Sequence, residues 1–287
     1  MSPGRTAASL EAELGGCRMP FQVRLEGSVP STQDLVLELA RGGEPEGRVV
    51  LAEEQSRGRG REGRAWLAPR GSALLLSVLL RPSRGREEWG SLSLLAGVAL
   101  AEALAEVGGP TVQLKWPNDC LVGEQKLAGV LAEVPNLAGG AAVVLGIGCN
   151  LSWQGLELPP DLLLRATACD LEGTPVPAGR LAAALLRRLD WHYGRWLEQG
   201  FPAARDAWME RAAWLGEEVS AQTPQGRVRG RLRGVNRCGE LLLATHWGTV
   251  TIAAGEVGRE GPALHRASPG LTSRESGGDL DATSAPT

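Results

Sequence analysis

Short apolar segments bounded by turn residues run through most of this chain, and they constrain the fold more than any other feature. Candidate strands lie at 22–25, 47–54, 72–80, 111–116, 119–122, 126–134 and 141–147. Apolar residues recur at helical spacing in other segments, at about 31–40, 92–103, 181–196 and 202–213. Because tight turns join several strands directly, we expect hairpins rather than strict alternation of strand and helix. The pattern predicts an α+β fold.

The sequence pattern changes near Gly216. Residues 217–257 read as four or five short strands separated by turns, which suits a small barrel. The first residues and the Ser-, Gly-, Pro-, Asp- and Thr-rich end are both expected to be disordered. The predicted organisation is a leader at 1–20, a large domain at 21–214, a small barrel at 215–259 and a tail at 260–287.

Composition excludes several classes of protein. The 287 residues are 43% hydrophobic and 22% charged, which is ordinary for a soluble globular protein. The net charge of −3 disfavours a general nucleic-acid coat. We find no apolar run of about 18–20 residues and no signal peptide, so we expect neither membrane insertion nor secretion. Five cysteines without a CxxC pair disfavour a disulfide framework and a zinc site, so we expect a cytoplasmic protein.

The use of lysine is unusual. Arginine supplies 28 of the 30 basic residues, and the two lysines, Lys115 and Lys126, lie within one twelve-residue stretch. A GC-rich coding sequence explains why lysine is scarce but not why both lysines are neighbours. A compact ammonium group and a planar guanidinium are not interchangeable at a tight site. The placement therefore predicts chemistry at these two lysines.

Two upstream motifs offer hydrogen bonds and positive charge. Ser31-Thr32-Gln33 stands at a helix start, either as a simple N-cap or as a polar cluster that binds a small polar ring. In Gln55–Trp66, arginines alternate with glycines, so guanidinium and backbone N–H groups can approach phosphate or carboxylate oxygens. A solvated basic loop and an Arg-Gly RNA-binding segment are the other interpretations of this second motif.

Two downstream motifs complete the set. Lys115-Trp-Pro-Asn-Asp119, followed by Lys126-Leu-Ala-Gly129, is either a turn between strands or a group of two cations, an amide and a carboxylate. The second interpretation suits an anionic substrate and a triphosphate, with a magnesium ion held partly by Asp119. Gly146-x-Gly-x-Asn150 follows a strand and lacks the third glycine of a dinucleotide fingerprint, so tight packing is its more common cause.

In this order and spacing, the motifs resemble the bacterial-type biotin protein ligases, or biotin–[acetyl-CoA-carboxylase] ligases, over about residues 22–258. The resemblance implies a catalytic domain like that of class II aminoacyl-tRNA synthetases, followed by an SH3-like small barrel. It implies that biotin and ATP, with Mg²⁺, form biotinyl-5′-AMP and pyrophosphate, after which biotin passes to a lysine of biotin carboxyl carrier protein. It also suggests a homodimer.

The resemblance also implies roles for individual residues. The residues implied to act in catalysis are Lys126, Arg59, Arg61 and Asp119. Those implied to contact biotin are Ser31, Thr32, Gln33, Gln55, Arg59, Gly60, Arg61, Trp66 and Lys126. Those implied to bind ATP are Arg61, Lys115, Trp116, Asn118, Lys126 and Asn150.

Two departures from the family pattern matter. Gln33 stands where the family usually has Asn, which leaves open whether its side chain or its backbone contacts biotin. About thirty residues precede Ser31, too few for the helix-turn-helix domain of larger members, so we expect a short form that does not bind DNA. The alternatives are a lipoate ligase on a related fold and a non-enzymatic biotin sensor.

Overall fold

The part of the chain that this computed structural model describes, residues 6–137 and 141–259, forms two sheets and six α-helices. The strands of the first sheet are β1 (Gln22–Val29), β2 (Arg48–Gln55), β3 (Ala73–Leu80), β4 (Gln113–Lys115), β5 (Asp119–Val122), β6 (Gln125–Glu133) and β7 (Val143–Asn150). Those of the second sheet are β8 (Glu218–Thr223), β9 (Gly226–Val235), β10 (Leu241–Thr245), β11 (Gly248–Ile252) and β12 (Glu256–Arg259). The helices are α1 (Ala7–Glu13), α2 (Thr32–Arg41), α3 (Leu92–Glu106), α4 (Pro160–Arg165), α5 (Ala178–Gln199) and α6 (Pro202–Met209).

The first sheet is mixed, with strand order β1-β2-β3-β7-β6-β5-β4. β1 and β2 are parallel because α2 carries the chain back between them, whereas every other neighbouring pair is antiparallel. β3 and β7 pair along their whole length, from Ala73 opposite Asn150 to Leu80 opposite Val143. One parallel crossover among hairpins confirms the predicted α+β class.

Alternation along the central strands separates the core from the second side of the sheet. On β3, Leu74 and Leu76 pack into the main core, to which α3 and α5 contribute most of their buried residues. Leu75 and Ser77 point to the opposite side. Helix α2 covers one part of that side through Val36 and its neighbours, and the rest of it forms a cleft.

Helix α3 explains an apparent membrane signal. The helical segment Arg86–Glu106, which includes α3, is long and apolar enough by length and mean hydropathy to cross a membrane, although 72% of its most apolar window is buried inside the protein. Its burial against α5 is the arrangement of a core helix.

Residues 6–20 are ordered, so the prediction of a disordered leader is wrong for them. Thr6 and Ser9 form a capping box that starts α1. Leu10 and Leu14 then lie one above the other on the buried face of the helix. The buried carboxylate of Asp190 on α5 accepts hydrogen bonds from the backbone N–H groups of residues 18 and 19, at 2.9 and 2.8 Å. The leader is therefore part of the core.

The second sheet is wholly antiparallel, with strand order β11-β10-β9-β8-β12. Its inner face is built from buried residues such as Val219, Leu232 and Leu243. These five short strands agree with the pattern read from 217–257. The predicted tail at 260–287 lies outside the described residues, and the boundaries 21–214 and 215–259 stay predictions.

Candidate active site

A cleft lies on the second side of the seven-stranded sheet, beneath the loop that joins β2 to β3. It encloses about 810 Å³ of space, including its open mouth, which is the size of a small-molecule site. The cleft gathers most of the predicted site residues from five separate stretches of the chain. These residues are Ser31, Thr32, Gln33, Gln55, Arg59, Gly60, Arg61, Trp66, Asn118, Asp119 and Lys126.

Neutral hydrogen-bonding groups at the start of α2 form the floor of the cleft. Ser31 caps the helix, because its Oγ accepts from the N–H of Gln33 at 3.2 Å. Gln55 Oε1 accepts from the N–H and the Oγ1 of Thr32, at 2.8 and 3.0 Å. Thr32 Oγ1 lies 2.8 Å from Ser77 Oγ. The N-cap interpretation of the Ser31 motif is therefore confirmed, and the same residues line the floor of the cleft, while their binding of a small polar ring stays a prediction.

The side chain of Gln33 is engaged within the protein at both ends. Its Oε1 accepts from Ser77 Oγ at 3.0 Å, and its Nε2 donates to the carbonyl of Val144 at 3.1 Å. A Cβ at Gly146 would lie 2.5 Å from Gln33 Oε1, so a larger residue there would displace the amide of Gln33. Gln33 thus shapes the floor by holding Ser77, and its ligand contact stays a prediction.

The Gly/Arg loop, defined here as residues 56–71, is tied down by its own arginines. Arg59 Nη2 lies 2.9 Å from a carboxylate oxygen of Asp34 on α2 and 2.9 Å from one of Glu133 on β6. Arg61 donates to the carbonyl of Gly255 and to Asn118 Oδ1, each at 3.3 Å. The loop thus contacts α2, the seven-stranded sheet and the approach to β12.

Arg64 and Glu256 form the shortest of these contacts. The guanidinium donates to both carboxylate oxygens, at 2.6 and 2.9 Å, in a bidentate pair. This hydrogen bonding holds the pKa of Glu256 below its usual range. Arg64 also lines the cleft, so the second sheet reaches the site through this pair.

Trp66 forms one wall of the cleft, and two glycines make room for its ring. A Cβ at Gly148 on β7 would lie 2.6 Å from Cε2 of the indole. A Cβ at Gly129 on β6 would lie 3.4 Å from Cζ3. This close approach is the reason for Gly148 in the GxG motif, as the packing interpretation predicted. The ring also lies beneath Lys126, whose Nζ is 5.6 Å from its centroid.

The two lysines meet at one carboxylate. Lys126 Nζ lies 2.5 Å from Asp119 Oδ1, and Lys115 Nζ lies 3.8 Å from Asp119 Oδ2. The side chain of Lys126 is 34% exposed and reaches the cleft, whereas that of Lys115 is 17% exposed and lies over the ring of Trp214. Proximity in sequence thus indicated a real cluster, in which one lysine faces the ligand space.

Three residues assigned to ATP do not line the cleft. Lys115 lies behind Asp119, as described. Trp116 is buried, and its Nε1 donates to the carbonyl of Gly239 at 3.0 Å. Asn150 is buried, and its Nδ2 donates to the carbonyl of Thr167 at 2.9 Å. In this arrangement these side chains support the site from within the fold.

Five cleft or loop-binding residues were missed by the sequence analysis: Asp34, Arg64, Ser77, Glu133 and Glu256. Only Arg64 carried a signal, because it belongs to the quoted Gly/Arg motif. The others are isolated residues in unremarkable segments, and folding alone brings them to the loop.

Neither a metal centre nor a reactive thiol is built here. Within residues 6–137 and 141–259 there is no group of three His, Cys, Asp or Glu that could hold a metal ion. Both oxygens of Asp119 face ammonium groups, so this carboxylate does not fit a magnesium ion in the present arrangement. Burial raises the pKa of Cys120 to about 12, and a hydrogen bond with Cys169, followed by burial, raises that of Cys149. These thiols stay protonated and inert.

Comparison with known proteins decides the family. The sequence model of the Biotin/lipoate A/B protein ligase family matches residues 27–150, which contain every motif quoted above. The biotin–[acetyl-CoA-carboxylase] ligase of Mycobacterium tuberculosis is 36% identical over 229 residues, which cover 78% of this chain and 83% of that protein. This chain belongs to the biotin/lipoate A/B protein ligase family. A second member, the biotin–[acetyl-CoA-carboxylase] ligase of Paracoccus denitrificans, is 37% identical over 222 residues, covering 72% and 88% of the two chains.

Solved structures of family members share the fold. The biotin protein ligase of Aquifex aeolicus in complex with biotin and ATP superposes with a TM-score of 0.74 at 29% identity. The match covers 83% of this chain and 99% of that one. The resemblance read from the motifs is confirmed.

Proposed function

We propose that this chain is a biotin protein ligase that activates biotin with ATP and transfers it to a lysine of biotin carboxyl carrier protein. The supporting observation is one cleft whose floor is neutral and polar and whose rim carries Lys126 and the arginines of the Gly/Arg loop. A ligand with an uncharged polar ring at one end and a carboxylate at the other fits that division. The names of the two ligase relatives support the same activity.

The neutral floor binds the ring end of biotin in this proposal. Thr32, Gln33, Gln55 and Ser77 are joined in one hydrogen-bonded network, and Ser31 joins it by accepting from the N–H of Gln33. The orientation of each group is therefore fixed before the ligand arrives. Preorganised groups lose little entropy on binding. Trp66 supplies an apolar wall beside them.

Charge explains the first chemical step. A carboxylate oxygen of biotin attacks the α-phosphorus of ATP, the bond from that phosphorus to the bridging oxygen breaks, and pyrophosphate leaves. Both reactants are anions, so the site must hold them together and stabilise charge that develops between them. Lys126, Arg61 and Arg64 supply positive charge at the rim, and Asp119 holds the ammonium of Lys126 in place. No step requires a metal ion at Asp119.

The second step needs a site that excludes water but admits the lysine side chain of the carrier. A lysine amine of the carrier attacks the acyl carbon of biotinyl-5′-AMP, and AMP leaves. The Gly/Arg loop covers the cleft, and its anchors at Asp34, Glu133 and Glu256 keep it against the sheet. Excluding water in this way protects the mixed anhydride until the amine arrives.

The proposal includes finer assignments that follow the family resemblance. Residues 21–214 form a class II synthetase-like catalytic domain, and residues 215–259 form an SH3-like barrel. Lys115, Trp116, Asn118 and Asn150 serve the nucleotide end, in part by shaping it from behind. Magnesium accompanies ATP, zinc has no part, and the protein acts in the cytoplasm as a homodimer without binding DNA.

The test is release of pyrophosphate from ATP. We expect release with biotin and none without it, measured with an enzyme-coupled phosphate assay. Release with lipoate but not with biotin assigns the chain to the other branch of the family and contradicts the proposal.

A further inference from the structure

The amide of Gln33 lies across three neighbouring strands, and its surroundings fix which way round it stands. In the strand pairing, Ser77 of β3 and Leu131 of β6 both stand opposite Gly146 of β7, whose missing side chain leaves room for the amide. Gln33 Nε2 donates to the carbonyls of Val144 and Leu131, at 3.1 and 3.4 Å. A reversed amide would place its oxygen against these two acceptors, so Oε1 must face Ser77.

The amide of Gln55 is fixed in the same way. Its Oε1 accepts from the backbone N–H of Thr32 at 2.8 Å, and a reversed amide would place an NH₂ group against that donor. Three contacts between side-chain oxygens then run from one amide to the other, from Gln33 Oε1 through Ser77 Oγ and Thr32 Oγ1 to Gln55 Oε1, at 3.0, 2.8 and 3.0 Å. We call these four side chains the floor network.

The floor network has more contacts than protons. A hydroxyl group has one proton to donate, and an amide oxygen has none. Ser77 and Thr32 therefore supply two protons for three contacts. With Ser77 donating to Gln33 and Thr32 donating to Gln55, the two hydroxyl oxygens face each other at 2.8 Å without a proton between them. This pair of oxygens can only accept.

The two hydroxyl oxygens belong to residues that are buried and that line the cleft. Thr32 is 3% exposed and Ser77 is 0% exposed, so a donor reaches them from the cleft. A buried acceptor that lacks a donor is costly. An N–H group of a bound ring supplies the missing proton, whereas a ring oxygen in the same place adds another acceptor. The floor therefore favours rings that carry N–H groups.

We propose that Gln33 is a positioning residue that sets this selectivity. By taking the proton of Ser77, its amide oxygen leaves the hydroxyl pair as an acceptor for the N–H of the ligand ring. Gln33 acts through Ser77 and needs no contact of its own with the ligand. The inference rests on the proposed function, because the ureido ring of biotin carries two N–H groups.

The experiment compares two ligands of the same size by isothermal titration calorimetry on the full-length chain without ATP. One ligand is biotin, and the other is its cyclic carbonate analogue, in which oxygen replaces both ring N–H groups. The test variant is Gln33→Met, which keeps the length of the side chain but offers only a weak acceptor. Ser77→Ala removes the hydroxyl through which Gln33 acts. Val36→Ala is the matched control, because Val36 is a buried residue of the same helix that packs away from the cleft.

We expect the unmodified chain and Val36→Ala to bind biotin about 10²-fold more tightly than the carbonate. In Gln33→Met the proton of Ser77 is released and can be donated to a ligand oxygen, so this preference should fall to about tenfold or less. Ser77→Ala removes the contact that lacks a proton, so it should cause the same fall.

The double variant of Gln33→Met with Ser77→Ala separates a positioning role from a structural one. It should show no further fall in the preference, because both changes act on one contact. A glutamine that only held α2 in place would, when replaced, weaken both ligands equally and leave the ratio of their Kd values unchanged.

Unchanged preference in Gln33→Met, with folding verified by thermal melting, overturns the inference. If Gln33→Met does not fold, unchanged preference in Ser77→Ala overturns it instead. Equal Kd values for biotin and the carbonate in the unmodified chain also overturn it, and they leave the proposed function standing if pyrophosphate release still depends on biotin. Absence of both biotin binding and biotin-dependent pyrophosphate release refutes the proposed function itself, and the inference with it.

Discussion

Replacing Lys126 by arginine keeps the positive charge but exchanges a compact ammonium for a wider, planar guanidinium. The substitution therefore tests whether the site needs an ammonium group. The space around this ammonium is narrow. Nζ lies 2.5 Å from Asp119 Oδ1, and a Cβ on Gly129 would be 3.0 Å from both Cε and Nζ. The ring of Trp66 closes a third side, 5.6 Å from Nζ. A guanidinium is wider and planar, so it cannot occupy this position without moving Trp66 or leaving Asp119.

The expected cost is kinetic. In our proposal Nζ contacts the biotin carboxylate and the α-phosphate together, and a displaced guanidinium separates them. Loss of one preorganised contact of this kind typically lowers the rate by about 10²–10³, or about 3–4 kcal/mol of transition-state stabilisation. The side chain is 34% exposed and contributes little buried apolar area, so the free energy of unfolding should change by less than about 1 kcal/mol.

Lys115→Arg is the matched control, because it makes the same chemical change at the other lysine of the same ion cluster. Lys115 lies 3.8 Å from Asp119, outside the cleft, and a guanidinium there keeps its contact with the ring of Trp214. We expect less than about a tenfold loss of rate. Thermal melting and adenylate formation should be measured on the same preparations. Near-normal turnover in Lys126→Arg refutes the argument, and a collapse of its melting temperature makes the lysine structural.

Three further predictions concern the loop and its supports. Gly148→Ala should lower the rate of adenylate formation about 10²-fold, because the new Cβ would lie 2.6 Å from Trp66 and displace the wall of the cleft. Gly97→Ala in α3 is the control, because its Cβ would meet Leu114 at an ordinary 3.5 Å and should leave the rate unchanged. Equal rates for the two variants in steady-state assays contradict the account. The pair of Glu256 with Arg64 should stabilise the folded protein above pH 4.5, the usual glutamate pKa, and this contribution should be lost as pH falls through the lowered pKa of Glu256. Chemical unfolding measured from pH 7 to 3 should therefore show an acid-dependent loss in the free energy of unfolding of the unmodified chain that Glu256→Gln lacks. Identical pH profiles for the two proteins argue against this role of the pair. Hydrogen exchange in residues 56–71 should slow when biotin or biotinyl-5′-AMP binds, whereas equal protection with and without ligand contradicts a closing loop.

The order of strands and helices was largely predictable because each element carries its own periodic signal. β3 is an apolar run interrupted only by Ser77 and is buried on both sides, and α5 shows a clear apolar stripe. The leader failed for a physical reason. The first twenty residues bury only a few apolar side chains, chiefly Leu10 and Leu14. The carboxylate that accepts hydrogen bonds from the backbone of residues 18 and 19 belongs to Asp190, far along the chain.

The site was predictable where chemistry is local and unpredictable where it depends on folding. Arg59 and Arg61 could be found because glycines around arginines are a local signal. Their partners Asp34 and Glu133 lie 25 and 74 residues from Arg59 in sequence and resemble any surface carboxylate. Repulsion among neighbouring arginines would by itself favour a mobile loop. The guanidinium groups of residues 59, 61 and 64 are instead held by acceptors of the protein, so any opening of the loop has to break these contacts.

Trp116 and Asn150 show the limit of reading roles from a motif. Both belong to motifs that the family resemblance assigns to ATP, yet both side chains are buried and bonded to backbone carbonyls. A motif identifies which residue occupies a position. Whether its side chain contacts a ligand or supports another residue that does so depends on whether that side chain is buried. That distinction depends on packing, which residue order alone does not contain.

The most direct test of the central claim is intact-mass spectrometry of a biotin carrier domain incubated with this chain, biotin and ATP. The account predicts that the carrier gains the mass of one biotinyl group, that omission of either small molecule abolishes the gain, and that replacing the target lysine of the carrier by arginine abolishes it as well. An unmodified carrier under the complete conditions, or a lipoyl adduct formed in preference when both acids are supplied, contradicts it.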